Sequence, residues 1–266
     1  MYTKQDILNQ LAAMNAPRGG VVMMHTSLRA VGEMEGGAQG LLDAMIEYFT
    51  ADGGLFCVPT HTWSNPGDGK FTLDLTTPSS RLGTFPSVAA ADPRGVRSVN
   101  PTHSMMVFGD TERALEFVSD ECHISSGTDP ESCYGKICRD GGYILLVGVS
   151  HSRNTYLHCV EEMLNMPNRL SAEPRKVTVR RMSGELVTRE VKTHHTDFTN
   201  DVSLRFPKYE TAFRYHGAIT DGFVGNAPAQ ACDARIMRDT MALILRNCKG
   251  KDPLADEFSL SPLLYR

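Results

Sequence analysis

Residues 142–162 read GYILLVGVSHSRNTYLHCVEE, and this stretch decides the fold. Gly142 to Val149 is a short apolar run bounded by glycine, the pattern of a strand buried on both faces. Ser150 to Arg153 is a polar turn. Asn154 or Thr155 then caps a helix that runs to about Met166 and is stopped by Pro167. A buried strand passing straight into a helix is the joint from which α/β folds are built.

The same joint recurs outward from there. Thr3 to Asn15 places Ile7, Leu8, Leu11 and Met14 at helical spacing, with Thr3 and Asp6 in the pattern of a capping box. Pro17-Arg18-Gly19-Gly20 breaks that helix. Val21 to Met24 reads as a buried strand, entering His25-Thr26-Ser27-Leu28 and a turn at Gly32. Gly36-Gly37 precedes a helix over Ala38 to Phe49, and Gly53-Gly54 opens a strand over Leu55 to Pro59. His61 to Arg81 is a long polar segment holding the single tryptophan, Trp63; such a loop inside a compact domain is usually functional or mobile. Leu82 to Ala91 predicts a helix, Met105 to Gly109 the end of a strand, and Asp110 to Val118 a helix capped by Asp110 or Thr111. Lys176 to Arg181 and Leu186 to Lys192 flank Ser183-Gly184 as a hairpin. Asp197 to Lys208 is irregular, and Ala234 to Leu245 is a closing helix. The expectation is one domain over residues 1–266, with a β-rich insertion at about 174–216.

Composition narrows the class. The 266 residues are 41% hydrophobic and 22% charged, enough for a sizeable core. The net charge is −4 and no block of Lys or Arg tracks a phosphate backbone, so nucleic acid is not an expected partner. The mild acidity suits a small cationic amine. No apolar run approaches the ~20 residues of a membrane span, and Met1 to Asp6 lacks the layout of a signal peptide. A cytoplasmic protein without membrane contact is expected. The seven cysteines are scattered, and Cys133 and Cys138 have no second pair at zinc-site spacing, so free thiols and no metal are expected. His194-His195 points only weakly to metal, because adjacent residues of a strand face opposite ways.

Three groups of residues can carry chemistry. On the helix after the deciding strand, His158 and Glu161 are three apart and share a face. A carboxylate beside an imidazole fixes its tautomer and raises its basicity, which removal of a proton from an amine requires; an ordinary solvated i,i+3 pair has the same spacing. His25, Thr26, Ser27 and Leu28 with Gly32 end the first buried strand, where backbone N–H groups and hydroxyls suit phosphate or amide oxygens. Arg97, Ser98, Thr102, His103 and Ser104 surround the rigid Asn100-Pro101 and offer a cation, hydroxyls and an imidazole to a phosphorylated ligand.

The sequence resembles the aminoglycoside 3-N-acetyltransferase family. The matching stretches run in order: Met24 to Leu28 with Gly32, Gly36-Gly37, Pro59-Thr60 with Trp63, Gly83-Thr84-Phe85-Pro86, and Val96 to Val99 with Pro101 to Ser104. Then come Ser132 with Gly135-Lys136, Leu145 to Val149, Asn154-Thr155 with His158 and Glu161, Pro167-Asn168-Arg169, and Gly222 with Val224-Gly225. The resemblance implies a three-layer α/β/α sandwich around a mixed sheet, acetyl-coenzyme A as co-substrate, and no metal. It implies His158 as the base and Glu161 as its supporting carboxylate. The segments at His25 to Leu28 and Arg97 to Ser104, with Ser132 and Gly135, are implied to wall the coenzyme A groove. The chain departs from the family at Ser87, where an acidic residue is usual, at Ser132-Cys133-Tyr134-Gly135 in place of Ser-Pro-Trp-Gly, and at Asn100 before Pro101. These departures bear on the acceptor more than the donor.

The expected reaction is direct transfer of the acetyl group to an amine, foremost the 3-amino group of a 2-deoxystreptamine aminoglycoside. Trp63, Asp197 and Asp201 are the candidate acceptor contacts. The rivals are transfer to a different small amine, a ping-pong route through Cys159 or Cys133, and a non-catalytic coenzyme A-binding protein. Whether the chain forms a homodimer is left open.

Overall fold

The computed structural model describes residues 1–62, 72–77, 80–119, 121, 123–255 and 259–266. The helices are α1 (Lys4–Ala13), α2 (Leu28–Val31), α3 (Gly37–Thr50), α4 (Thr84–Ala91), α5 (Thr111–Val118), α6 (Cys133–Arg139), α7 (Tyr156–Met163), α8 (Glu210–Tyr215) and α9 (Ala234–Asn247). The strands are β1 (Val21–Thr26), β2 (Leu55–Pro59), β3 (Leu73–Asp74), β4 (Val96–Arg97), β5 (Met105–Phe108), β6 (Tyr143–Val147), β7 (Arg175–Arg180), β8 (Leu186–Val191), β9 (Ile219–Val224) and β10 (Ala227–Asp233). Short 3-10 turns span His151–Arg153, Val202–Tyr209 and Pro262–Leu264.

Seven strands form a mixed sheet in the order β4-β5-β2-β1-β6-β10-β9. The centre, β2-β1-β6, is parallel, and the pairs toward both edges are antiparallel. Successive side chains on a strand face opposite ways, and the core divides accordingly. Val21 and Met23 of β1, with Ile144 and Leu146 of β6, pack under α5 to α9. Val22 and Met24, with Leu145 and Val147, pack under α1, α3 and α4. The result is a three-layer α/β/α sandwich around a mixed sheet.

Local chemistry sets the ends. Thr3 and Asp6 close the expected capping box at α1, and Asp110 caps α5. At α7 neither Asn154 nor Thr155 supplies a side-chain cap; Asn154 is buried, its amide 3.2 Å from His151 Nδ1. The hairpin at Ser183-Gly184 is β7–β8, which joins β3 in a separate three-stranded sheet. The rest of 174–216 is not β-rich: after β8 the chain takes the 3-10 turn at Val202–Tyr209 and then α8. The sequence pattern does not predict α6 or the β9–β10 pair. Among the described residues no helix is long and apolar enough to cross a membrane.

Candidate active site

Because β1, β2 and β6 are parallel, their carboxyl ends lie on one side, where open α/β sheets gather ligands. A cleft of about 1030 Å³ opens there. Its wall includes Met24 to Arg29, which leave β1, with Pro59 of β2 and Gly148-Val149 after β6. Gly83 to Pro86, Thr102-His103, Gly127, Thr155 and His158 complete much of the rest, with Lys192 to His194, Asp201 and Ser203.

His158 stands on the first turns of α7 with its side chain 11% exposed, whereas Glu161, one turn on, is wholly buried; Nδ1 and Oε2 are 3.6 Å apart. A solvated surface pair is therefore excluded. Glu161 also accepts from Arg169 Nε at 2.5 Å, and Arg169 Nη2 donates to Asp252 at 2.7 Å. The imidazole thus backs onto a chain of alternating charge. One face of its ring stacks on His194, centroids 4.1 Å apart and planes at 20°, and Phe206 meets it edge-on with the centroids 4.8 Å apart. These contacts fix the ring while leaving it in the cleft wall.

The wall continues in imidazoles. His103 lies 4.9 Å from His194 and 4.4 Å from His61. His61 Nε2 is 2.7 Å from the Tyr134 hydroxyl, and His103 Nδ1 is 2.9 Å from Thr102 Oγ1. Gly127 permits this approach, since a Cβ there would lie 2.1 Å from His103 Nδ1. Burial, then the neighbouring imidazoles, holds His61, His103 and His194 well below the ordinary histidine range. His25, pushed down to about 3 by burial, accepts from the Thr155 N–H at 3.4 Å and so ties β1 to the start of α7.

The expected site residues divide. His25, Thr26, Ser27, Leu28, Thr102, His103, His158 and Asp201 line the cleft. Ser27 also caps α2, and Asp201 caps the 3-10 turn through Ser203 N–H. Gly32, Arg97, Ser98, Ser104, Ser132 and Gly135 are not among the lining residues. Gly32 has φ 87 and would drive a Cβ to 2.6 Å from Asn226. Arg97 donates to Thr60 O and Ser104 Oγ, and Ser104 donates to the same carbonyl. Ser98 Oγ accepts from Met105 N–H, and Ser132 caps α6. A Cβ on Gly135 would meet the Pro130 carbonyl at 1.8 Å. Arg97 and Ser104 thereby brace the chain at Thr60, between the lining residues Pro59 and His61. Asp197 is exposed, bound to Asn168 and His195 away from the lining, and Trp63 lies outside the described residues. Among the described residues no group of His, Cys, Asp or Glu has the geometry to hold a metal. Cys159 and Cys133 are buried, and burial pushes both thiols well up, away from the thiolate a ping-pong route needs.

His61, His194 and Arg169 are the residues that spacing alone did not bring to the site. The two-residue alternation did carry one signal: of His194-His195 only His194 faces the cleft, while His195 is exposed.

Fold and cleft together define a class: a three-layer α/β protein whose parallel strands point at a histidine backed by a buried carboxylate. Within that class, the family model described as Aminoglycoside 3-N-acetyltransferase matches residues 23–246, and the chain belongs to that family. It is similar to aminoglycoside N(3)-acetyltransferase IV of Salmonella sp, 28% identical over 253 residues, covering 95% of this chain and 89% of the relative. Among solved structures it resembles a histidine-to-alanine mutant of aminoglycoside acetyltransferase AAC(3)-IVa in complex with a gentamicin. That likeness has a TM-score of 0.76 and 25% identity, covering 96% of this chain and 93% of the other. AAC-IIIb in binary complex with CoASH shares the fold, with a TM-score of 0.75 and 20% identity over 90% and 94% of the two chains.

Proposed function

We propose that this chain is a single cytoplasmic acetyltransferase domain that moves the acetyl group of acetyl-coenzyme A directly to the 3-amino group of an aminoglycoside, with His158 as base. The observation that carries the reading is His158 held in the cleft wall in front of the wholly buried Glu161. Glu161 keeps a negative charge beside the ring and favours the imidazolium formed when His158 takes the amine proton. His25, Thr26, Ser27, Leu28, Thr102 and His103 form the donor side. Arg29, Arg81, Arg153, Arg175 and Lys192 also line the cleft and fit the phosphates of coenzyme A. When bound, the thioester supplies the acyl group; the protein's part is to orient it and carry protons. Among the described lining residues, Asp201 is the carboxylate offered to a cationic acceptor.

A second reading is an acceptor with fewer positive charges than an aminoglycoside, since Asp201 is the only carboxylate among the described lining residues. One experiment addresses both. A panel of amines including gentamicin and sisomicin is screened by release of free coenzyme A, with the unaltered chain and with His158→Ala. Loss of the base is expected to slow transfer by roughly 10²–10⁴-fold with coenzyme A binding retained by calorimetry. Near-normal turnover by His158→Ala removes this histidine from the reaction; turnover confined to weakly charged amines selects the second reading.

A further inference from the structure

Acetylation of an ammonium group releases a net proton: R–NH3⁺ plus acetyl–S–CoA gives R–NH–acetyl, CoA–SH and H⁺. Two protons leave the nitrogen. One ends on the departing thiolate sulfur, which a single base can arrange by taking it and handing it on. The other has to leave the cleft.

A path for it lies behind His194. His194 Nε2 is 2.8 Å from Thr128 Oγ1, and Thr128 donates to Glu162 Oε1 at 2.6 Å. Ser126 donates to the other oxygen, Glu162 Oε2, also at 2.6 Å. Thr128 and Ser126 are fully buried, and Glu162 is partly open. A hydroxyl has one proton. Thr128 spends its proton on the carboxylate, so toward His194 it can only accept. His194 therefore carries its hydrogen on Nε2, and Nδ1 is the basic nitrogen. Nδ1 has no hydrogen-bond partner among the described residues, on a ring that lines the cleft and stacks on His158.

We propose that His194, Thr128 and Glu162 form a proton-exit relay that deprotonates the acceptor ammonium. The inference rests on the acetyltransferase reading of this cleft. The ammonium proton passes to His194 Nδ1 as the Nε2 proton passes to Thr128 Oγ1 and the Thr128 hydroxyl proton passes to Glu162. The amine, now neutral, attacks the thioester carbonyl. His158 takes the second proton from nitrogen as the C–N bond forms, and gives it to the sulfur as the C–S bond breaks. Glu162 releases the first proton to solvent. After the products leave, His194 gives its Nδ1 proton to water in the open cleft and regains an Nε2 proton from solvent through Glu162 and Thr128, which restores the starting tautomer.

The surroundings give the path a direction. His194 faces His158 and His103, with His61 beyond; burial and these rings disfavour a proton resting on it. Burial raises the Glu162 carboxyl, Asp129 adds to this, and Ser126, Thr128 and His158 work against it. Arg175 acts on the same wall through His103. The proton thus moves off the imidazole toward a carboxyl whose affinity for it is raised.

The test uses the pH dependence of turnover in the full chain. Gentamicin is the first acceptor, followed by sisomicin and the remaining amines of the panel until one is acetylated. Glu162→Gln keeps the shape, accepting from one hydroxyl and donating to the other, but cannot take the proton. It is expected to lower kcat about tenfold or more while the acceptor amine is protonated, and to approach the unaltered rate as pH passes the amine's own pKa. Thr128→Val breaks the wire and should show the same pattern; Thr128→Ser restores a hydroxyl and the rate. This pair decides the matter if Glu162→Gln does not fold, as judged by its melting. A loss that stays constant across pH means a structural role and overturns the relay, as does no loss at any pH. Failure of the unaltered chain to release coenzyme A with every amine overturns the acetyltransferase reading and the relay with it. That outcome is recognisable because the unaltered chain itself is silent.

Discussion

Replacing Arg169 by methionine removes the guanidinium that compensates Glu161 while keeping an unbranched side chain of comparable reach. Glu161 is wholly buried; its Oε1 accepts from Arg169, and its Oε2 has no hydrogen-bond partner, with His158 Nδ1 3.6 Å away. Arg169→Met leaves that carboxylate in the core with neither oxygen bonded. Taking one partner from a buried ion pair costs about 3–5 kcal/mol, most of it the uncompensated charge. Asp252, the other partner, is 22% exposed and stays partly hydrated, so its share is small, within about 1 kcal/mol. At the ~2–4 °C per kcal/mol of a domain this large, the melting temperature should fall by roughly 6–20 °C. The double variant Arg169→Met with Glu161→Gln leaves no charge in the core at position 161. It should recover most of the loss in a melting experiment, even though it contains one more substitution. Turnover should fall in both, because the imidazolium formed at His158 has lost its neighbouring charge. A single variant that melts within about 2 °C of the unaltered chain, or a double variant no more stable than the single one, would refute the claim that Arg169 acts by compensating Glu161.

Two other predictions concern the buried histidines and the thiols. Burial pushes His25 down to about 3 and His151 to about 4, from an ordinary 6.5. The unfolded chain binds those two protons below about 6.5 and the folded chain does not. Their contribution to stability is therefore complete above that pH and lost as pH falls, at roughly 1.4 kcal/mol per unit for each. Urea unfolding at about pH 7.5 and about pH 5.5 should differ by roughly 3 kcal/mol from these two groups; equal stability at the two values contradicts their burial as neutral rings. Cys159→Ala should keep turnover within about threefold, because a buried thiol far from its thiolate form is no nucleophile. Accumulation of an acetylated protein on mixing with acetyl-coenzyme A, lost in that variant, would restore the ping-pong route.

What could be read from sequence follows from which forces are local. Leu55 to Pro59 was legible as a strand because the central parallel strands are buried on both faces and read as unbroken apolar runs. The α1 capping box was legible because its partners are three residues apart. The β9–β10 pair was not, since its residues answer to distant neighbours. Gly222 is small because Met14, at the C-terminal cap of α1, packs on it, where a Cβ would come within 2.4 Å. β9 has only Val224 fully buried, which weakens any alternation. In the same way Gly135 lowers the helical signal of α6 for the sake of the Pro130 carbonyl. At the site, His158 and Glu161 were legible because helix geometry alone places them together. Arg169 and His194 arrive from the chain after α7, and only the packed fold brings them to the same wall.

The adjacent pair Glu161-Glu162 shows how one helix serves two imidazoles. Neighbouring residues on a helix point about 100° apart, so the two carboxylates leave α7 in different directions. Glu161 turns to His158 and Arg169; Glu162 turns to Ser126 and Thr128, and through Thr128 to His194. Each of the two stacked rings therefore has its own carboxylate, one directly and one through a hydroxyl. The rings themselves are 4.1 Å apart. Two imidazolium charges at that distance would repel by about 4 kcal/mol at an effective dielectric constant of about 20. That repulsion is enough to keep the pair from holding two protons at once. The wall must then handle the two protons of an ammonium in sequence: the first has to clear toward Glu162 before His158 can accept the second. Separate exits for the two charges make that order achievable without a metal or a thiolate, using only the imidazoles and carboxylates that α7 and the segment after β8 bring to the cleft.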